Sequence, residues 1–150
     1  MSRKQQEQVT LQLPEGVIGI RHASCPNGCD LMDRSKPIHD LPSIKVRYSV
    51  EGKEGIVNLD PLYGRFENVH DWDPPAGAVV EFTCSTCGVS LHSEEGTCQI
   101  CAGPLFVLQL KSGIVEGCLR RNCIYHKMTI VDTNALMERL FNEKQLDSYL

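Results

Sequence analysis

Eight cysteines in four close pairs constrain the fold of this 150-residue chain more than any other feature of its sequence. The pairs are Cys25 and Cys29, Cys84 and Cys87, Cys98 and Cys101, and Cys118 and Cys123. The start of the chain, MSRKQQEQVTLQLPEG, is polar and lacks the apolar core of an export signal. We therefore expect a cytoplasmic protein, whose thiols stay reduced, and close cysteine pairs then favour metal over disulfides. Eight ligands suffice for two sites of four cysteines each.

One nine-residue phrase is written twice, as TCSTCGVSL from residue 83 and as TCQICAGPL from residue 97. A C-x-x-C turn presents two thiolates to one metal, so two copies complete a tetrahedron. Gly88 lets the chain leave the first turn, and Ala102 followed by Gly103 takes that place in the second. The segment SEEG (93–96), midway along the connection, suits a turn. The repeat therefore predicts one metal site formed by Cys84, Cys87, Cys98 and Cys101.

This double turn, with its four cysteines and Gly88, resembles the zinc-ribbon superfamily. The resemblance covers 24 of the 150 residues, 83–106. It implies Zn²⁺ held between two knuckles that are flanked by β-strands. It implies little about function, because zinc ribbons serve transcription, translation, enzyme scaffolds and subunit contacts alike.

The two outer cysteine pairs have looser spacing, with three and four intervening residues. If the repeat closes its own site, Cys25, Cys29, Cys118 and Cys123 form a second site that joins opposite ends of the chain. We favour this nested pairing because the repeat is local. The alternative joins the first pair to the second and the third to the fourth. His22 or His126, three residues outside the outer pairs, could replace a cysteine.

The predicted cofactors are two zinc ions. An iron–sulfur cluster also uses cysteine thiolates and is the alternative, chiefly at the outer site. A site of four cysteines leaves no position open for water or substrate, which is typical of a structural metal.

The predicted fold class is α+β and β-rich: a zinc-ribbon core with short antiparallel strands, N-terminal β-hairpins and a C-terminal helix. Alternating residues predict hairpins at 9–20 and 43–66 and a loop at 36–42. Further strands are expected at 78–83, 104–110 and 127–132, and a helix at 133–150. We divide the chain into a β-rich lobe at 1–66, a linker at 67–77 and a metal-binding region at 78–150, packed as one unit.

The charge and the motifs favour binding over catalysis. The formal net charge is −4, which two four-thiolate zinc sites would lower further, so non-specific nucleic-acid binding is disfavoured. The only basic cluster, Arg120, Arg121 and Lys127, could contact an anion or nucleic acid, but more simply offsets the thiolate charge. No nucleotide-binding or hydrolase motif is present.

We therefore expect a zinc-stabilised, non-catalytic protein-binding module or accessory subunit, with another protein as its partner and no membrane contact. The alternatives are a nucleic-acid-binding zinc ribbon and an iron–sulfur or redox accessory protein.

Overall fold

A computed structural model describes residues 9–10 and 18–130 of the chain, which form ten β-strands. The strands are β1 Val9–Thr10, β2 Met32–Ile38, β3 Leu41–Val50, β4 Lys53–Leu59, β5 Val69–His70, β6 Glu81–Thr83, β7 His92–Thr97, β8 Pro104–Gln109, β9 Gly113–Cys118 and β10 His126–Ile130. One antiparallel sheet has the order β1-β10-β9-β8-β7. The other has the order β2-β3-β4-β5, and β6 also pairs with β3.

The α+β prediction is wrong for the described residues, which form strands and no helix. The predicted C-terminal helix falls on residues 133–150, outside the described part of the chain. Within the described ranges no helix is long and apolar enough to cross a membrane. The fold that positions the cysteines is thus all-β.

The β3–β4 hairpin is the part of the fold that the sequence predicts best. Alternating Ile44, Val46 and Tyr48 are all buried, as a half-buried strand requires. The strands pair up to Val50 opposite Lys53, which leaves a two-residue turn. Both turn residues, Glu51 and Gly52, have positive φ (50° and 86°), and such turns match the twist of antiparallel strands.

Residues 36–42, predicted to be a loop, instead form a second tight hairpin between β2 and β3. Ile38 pairs with Leu41, and the turn residues His39 and Asp40 both adopt positive φ (57° and 62°). His39 Nε2 lies 3.0 Å from the buried carboxylate of Asp60, a hydrogen bond that fixes this strained turn. A tertiary contact overrides the local preference of the sequence here.

The predicted hairpin at 9–20 does not form between its described ends. Val9 pairs with Ile130 in β10, whereas Gly19 bridges to Leu62. Residues 11–17 lie outside the described residues.

In the described part of the chain, one hydrophobic core lies where residues of both sheets meet. Its buried members include residues of β3, β4 and β6 and of β8, β9 and β10, together with residues of the connections such as Cys25, Cys84 and Leu91. Phe82 and Phe106, one from each sheet, contact each other with ring centroids 5.0 Å apart. The predicted linker also contributes, because Trp72 packs against Tyr48.

Candidate metal centres

The eight cysteines form two clusters of four. Tetrad 1 is Cys25, Cys29, Cys84 and Cys87, and tetrad 2 is Cys98, Cys101, Cys118 and Cys123. Within each tetrad all four sulfurs lie within 4.8 Å of one another. All eight are free thiols, and each tetrad could hold one metal ion.

Tetrad 1 forms at the point where two strands meet end to end along β3. Both β2 and β6 pair antiparallel with β3, with Met32 opposite Ile44 and Thr83 opposite Arg47. The start of β2 therefore abuts the end of β6. Cys29 lies just before β2 and Cys84 just after β6, so β3 aligns two cysteine pairs that are far apart in the sequence.

The local turns of tetrad 1 aim backbone N–H groups at sulfur. The amides of Asn27 and Cys29 each donate to Cys25 Sγ at 3.3 Å. The amide of Thr86 donates to Cys84 Sγ at 3.4 Å. Glycines with positive φ, Gly28 (90°) and Gly88 (81°), allow these turns.

Asn27 adds a side-chain contact that sequence reasoning missed. Its Nδ2 donates to Cys87 Sγ at 3.4 Å, joining the first knuckle to a cysteine of the second. The signal was present in the sequence, because an amide inside a cysteine turn can stabilise a thiolate.

Tetrad 2 forms at the open end of the β8–β9 hairpin. Leu105 near the start of β8 pairs with Cys118 at the end of β9. Cys101, just before β8, is thereby brought to 3.5 Å from Cys118, sulfur to sulfur. Only 17 residues separate these two, so an ordinary hairpin assembles this tetrad.

The knuckles of tetrad 2 repeat the N–H-to-sulfur pattern. The amides of Ile100 and Cys101 donate to Cys98 Sγ at 3.3 and 3.4 Å. Ala102 adopts φ of 63°, at the position where Gly88 stands in tetrad 1. Both turns therefore place a residue in the left-handed conformation directly after their second cysteine. This residue is glycine in tetrad 1 and alanine in tetrad 2.

The repeated phrase does not close a site of its own, so the nested pairing that we favoured from the sequence is not the one found. SEEG, predicted to be a turn, lies within β7, which pairs with β8. The two ends of β7 pair with β8, His92 opposite Phe106 and Thr97 opposite Pro104, with an irregular register between them. The two knuckles flank β7 in the sequence and join different tetrads, as in the alternative pairing.

The sulfur geometry fits a tetrahedral metal. Sulfurs at about 2.3 Å from a zinc ion lie about 3.8 Å from one another. Cys25 and Cys87 Sγ are 3.8 Å apart, and Cys98 and Cys123 Sγ are 3.7 Å apart. A disulfide would require about 2.05 Å.

Tetrad 1 mixes raised and lowered thiol pKa values. Hydrogen bonds to the sulfurs of Cys25 and then Cys87 raise the pKa of Cys29 to about 12. The backbone N–H of Val89 and then the Asn27 amide lower the pKa of Cys87 to about 6. Four thiolates cannot share so small a volume without a cation. A divalent metal displaces the remaining protons, so its affinity falls as the pH falls.

Tetrad 2 behaves in the same way. The backbone N–H of Gly103 contributes most to lowering the pKa of Cys101 to about 6, and Arg120 also contributes. Burial raises the pKa of Cys118.

Neither predicted substitute histidine joins a tetrad. His22 is exposed. His126 Nδ1 donates to the carbonyl oxygen of Ile124 at 2.9 Å, and its ring packs against Tyr63 and Phe66.

The three residues of the predicted basic cluster, Arg120, Arg121 and Lys127, each contact a different part of the protein. Arg120 donates to the Gly77 carbonyl oxygen at 3.0 Å and stabilises the Cys101 thiolate. Arg121 lies 3.5 Å from the Asp73 carboxylate. Lys127 pairs across the sheet with Glu116 in β9. Arg120 thus offsets thiolate charge, whereas Arg121 faces elsewhere.

The chain matches no family model, no curated protein and no solved structure. A function must therefore be inferred from the geometry of the two tetrads.

Proposed function

We propose that this protein is a zinc-stabilised, non-catalytic binding module, an accessory subunit that docks onto another protein in the cytoplasm. The observation that carries this proposal is the set of four sulfurs in each tetrad. Four thiolates complete the tetrahedron of a zinc ion and leave no position for water or substrate. Zinc in such a site contributes to folding and not to chemistry.

Zinc is preferred over an iron–sulfur cluster because the sulfur spacing fits a single ion. Three sulfur–sulfur distances, of 3.5 to 3.8 Å, are close to those expected around one metal at about 2.3 Å, and every pair within a tetrad lies within 4.8 Å.

The exposed apolar residues support a protein partner. Ile100 and Ile124, each 65% exposed, lie in the two knuckle segments of tetrad 2. Large apolar side chains displayed on a rigid turn are typical of contact residues. The net charge of −4 makes a polyanionic partner less suitable.

Metal analysis and partner capture test the two halves of this proposal. Protein purified without oxygen should contain two zinc ions per chain and show no visible absorption band. If the protein instead contains iron and shows a visible absorption band, the metal sites have a redox role and the proposed structural role of zinc is wrong. A stoichiometric partner should co-purify with the wild type and be lost from an Ile100→Asp, Ile124→Asp double variant. A Thr86→Asp variant, at the exposed position of tetrad 1 that corresponds to Ile100 in tetrad 2, is the control, and equal loss from both variants would contradict the proposed surface.

A further inference from the structure

Cys87 of tetrad 1 is the only one of the eight cysteines that is exposed to solvent. Its neighbours in the chain, Thr86 and Gly88, are exposed as well. Both glycines of the tetrad 1 knuckles, Gly28 and Gly88, border open space, since a Cβ atom added at either would meet nothing within 4 Å. A small solute therefore has access to this side of tetrad 1 without any movement of the protein.

The corresponding side of tetrad 2 is closed. All four of its cysteines are buried or half-buried. Gly103, which follows its first knuckle, is buried too, and a Cβ atom added there would lie 3.3 Å from Cys101 Sγ and 3.6 Å from Arg120 Nε. A hydrogen bond from Arg120 Nη1 to the carbonyl oxygen of Gly77, at 3.0 Å, holds the guanidinium in this place. Arg120 thus covers one side of the Cys101 sulfur.

The two tetrads also differ in the charge of the groups beside their sulfurs. In tetrad 1 the donors to Cys25, Cys84 and Cys87 include backbone amides and the side-chain amide of Asn27, which are neutral. Tetrad 2 has the full positive charge of Arg120 beside Cys101. A neighbouring cation lowers the nucleophilicity of a thiolate that is already ionised. The sulfurs of tetrad 1 should therefore react faster with electrophiles.

Cys25 is placed to complete an oxidation that begins at Cys87. The two sulfurs are 3.8 Å apart. The amides of Asn27 and Cys29, each donating to Cys25 Sγ at 3.3 Å, hold that sulfur in position. A disulfide requires about 2.05 Å, so the two sulfurs need to approach each other by only about 1.8 Å.

We propose that Cys87 is a site of oxidation by hydroperoxides, and that its subsequent reaction with Cys25 dismantles tetrad 1. Because Cys25 and Cys84 belong to the hydrophobic core, loss of this tetrad also disrupts the core. The inference rests on the proposed structural role of zinc and names the chemical signal that removes it.

The reaction takes two steps. The Cys87 sulfur attacks one oxygen of the hydroperoxide, the O–O bond breaks, and a sulfenic acid forms while the other oxygen takes up a proton and leaves as water or an alcohol. The Cys25 thiolate then attacks the Cys87 sulfur, so that the S–S bond forms, the S–O bond breaks, and the departing hydroxide takes up a proton. The two sulfurs lose two electrons, which the hydroperoxide gains. Cys29 and Cys84 remain, and two ligands are too few to retain a structural zinc ion.

Oxidation of the zinc-loaded full-length protein with hydrogen peroxide tests the inference. A chromophoric chelator reports the zinc released, near-ultraviolet circular dichroism reports the core, and mass spectrometry of alkylated digests identifies the oxidised cysteines. At substoichiometric peroxide the disulfide recovered should join Cys25 and Cys87, and the tetrad 2 cysteines should be alkylated as free thiols. Zinc release and loss of the dichroism signal should follow the yield of this disulfide.

A matched pair of charge variants tests the reason for the selectivity. Arg120→Gln should speed the oxidation of the tetrad 2 cysteines about fivefold, the effect of removing one charge beside a sulfur near the protein surface. Lys111→Gln removes an exposed positive charge from the turn between β8 and β9, at the other end of that hairpin, and should change nothing. The zinc content of both variants before oxidation verifies that they fold.

Oxidation of both tetrads at the same rate in the wild type would overturn the inference. A first disulfide that joins Cys84 to Cys87, or that omits Cys87, would also overturn it. Equal behaviour of Arg120→Gln and Lys111→Gln would do so too, because the charge beside the sulfurs would then not distinguish the tetrads.

Failure here is distinguishable from failure of the proposed function. Protein that holds two zinc ions and captures a partner, but loses both zinc ions together under peroxide, would refute only the oxidation site. Protein that folds fully without metal would refute the structural role of zinc, whatever the peroxide does.

Discussion

The two tetrads use the same ligands and the same knuckles but occupy different places in the molecule. Cys25 and Cys84 of tetrad 1 are 1% and 0% exposed and belong to the hydrophobic core. Tetrad 2 lies outside that core cluster, although its Cys98 is 3% exposed, and Ile100 and Ile124 beside its cysteines are each 65% exposed. The comparison suggests that one centre holds the fold together and the other shapes a surface.

The entropy cost of closing the loop between the ligands does not explain why one tetrad should matter more to the fold than the other. Tetrad 1 joins residues up to 62 positions apart, and tetrad 2 joins residues up to 25 apart. The entropy of closing the longer loop exceeds that of the shorter by only about 0.8 kcal/mol. Integration with the core, and not sequence separation, should therefore decide which centre the fold needs more.

Loss of tetrad 1 should have the largest effect. We expect Cys84→Ser to give insoluble or largely unfolded protein, because a structural zinc contributes about 10–16 kcal/mol and a domain's whole stability is about 5–15 kcal/mol. Soluble yield, zinc per chain and near-ultraviolet circular dichroism measure this. Thr86→Ser, on an exposed position of the same knuckle, is the control. A soluble, cooperatively unfolding Cys84→Ser protein would remove the distinction between the two centres.

Loss of tetrad 2 should be less damaging and also tests the cysteine pairing. We expect the Cys101→Ser, Cys123→Ser double variant to retain one zinc per chain and the protected amides of β3 and β4. The nested pairing would place these two cysteines in different sites and leave neither site intact. Metal analysis and amide hydrogen exchange distinguish the nested pairing from the pairing found in the structure. A Cys123→Ser single variant disrupts tetrad 2 alone and should also retain one zinc per chain.

The left-handed knuckle residues should respond in opposite directions. Gly88→Ala forces a methyl-bearing residue to φ of 81°, with nothing in contact at that point, and should destabilise the protein by about 1 kcal/mol. Ala102→Gly relieves the same strain in tetrad 2 and should stabilise it by up to about 1 kcal/mol. Urea unfolding of the zinc-loaded protein measures both. Changes of equal sign would show that the two knuckles are not equivalent.

The smallest effect is expected from the amide that tetrad 1 has and tetrad 2 lacks. Asn27→Ala removes an exposed hydrogen bond to Cys87 Sγ and should weaken zinc binding about two- to tenfold. Because this amide helps to hold the pKa of Cys87 down at about 6, its loss raises that pKa, and zinc should leave at a higher pH. Chelator competition across pH measures this, with Gln99→Ala as control. Identical release curves would exclude a role for the amide.

Much of the local structure could be predicted from the sequence. The four cysteine turns, their permissive residues and the β3–β4 hairpin depend on contacts between near neighbours, which spacing and alternation reveal. Residues 36–42 failed this test because the His39–Asp60 contact, formed across 21 positions, stabilises a turn that the local sequence does not favour.

The sequence by itself determined that the eight cysteines lie in four close pairs, each able to offer two sulfurs to one metal, because only two to four residues separate the members of a pair. Only the tertiary structure decided which knuckles face each other. The repeat made Cys87 and Cys98 look like partners, but β3 aligns the Cys84–Cys87 pair with Cys25 and Cys29, and the β8–β9 hairpin brings Cys98 and Cys101 to Cys118 and Cys123. The grouping of the cysteines is likewise invisible in the sequence, since β2 and β6 meet only through their pairing with β3.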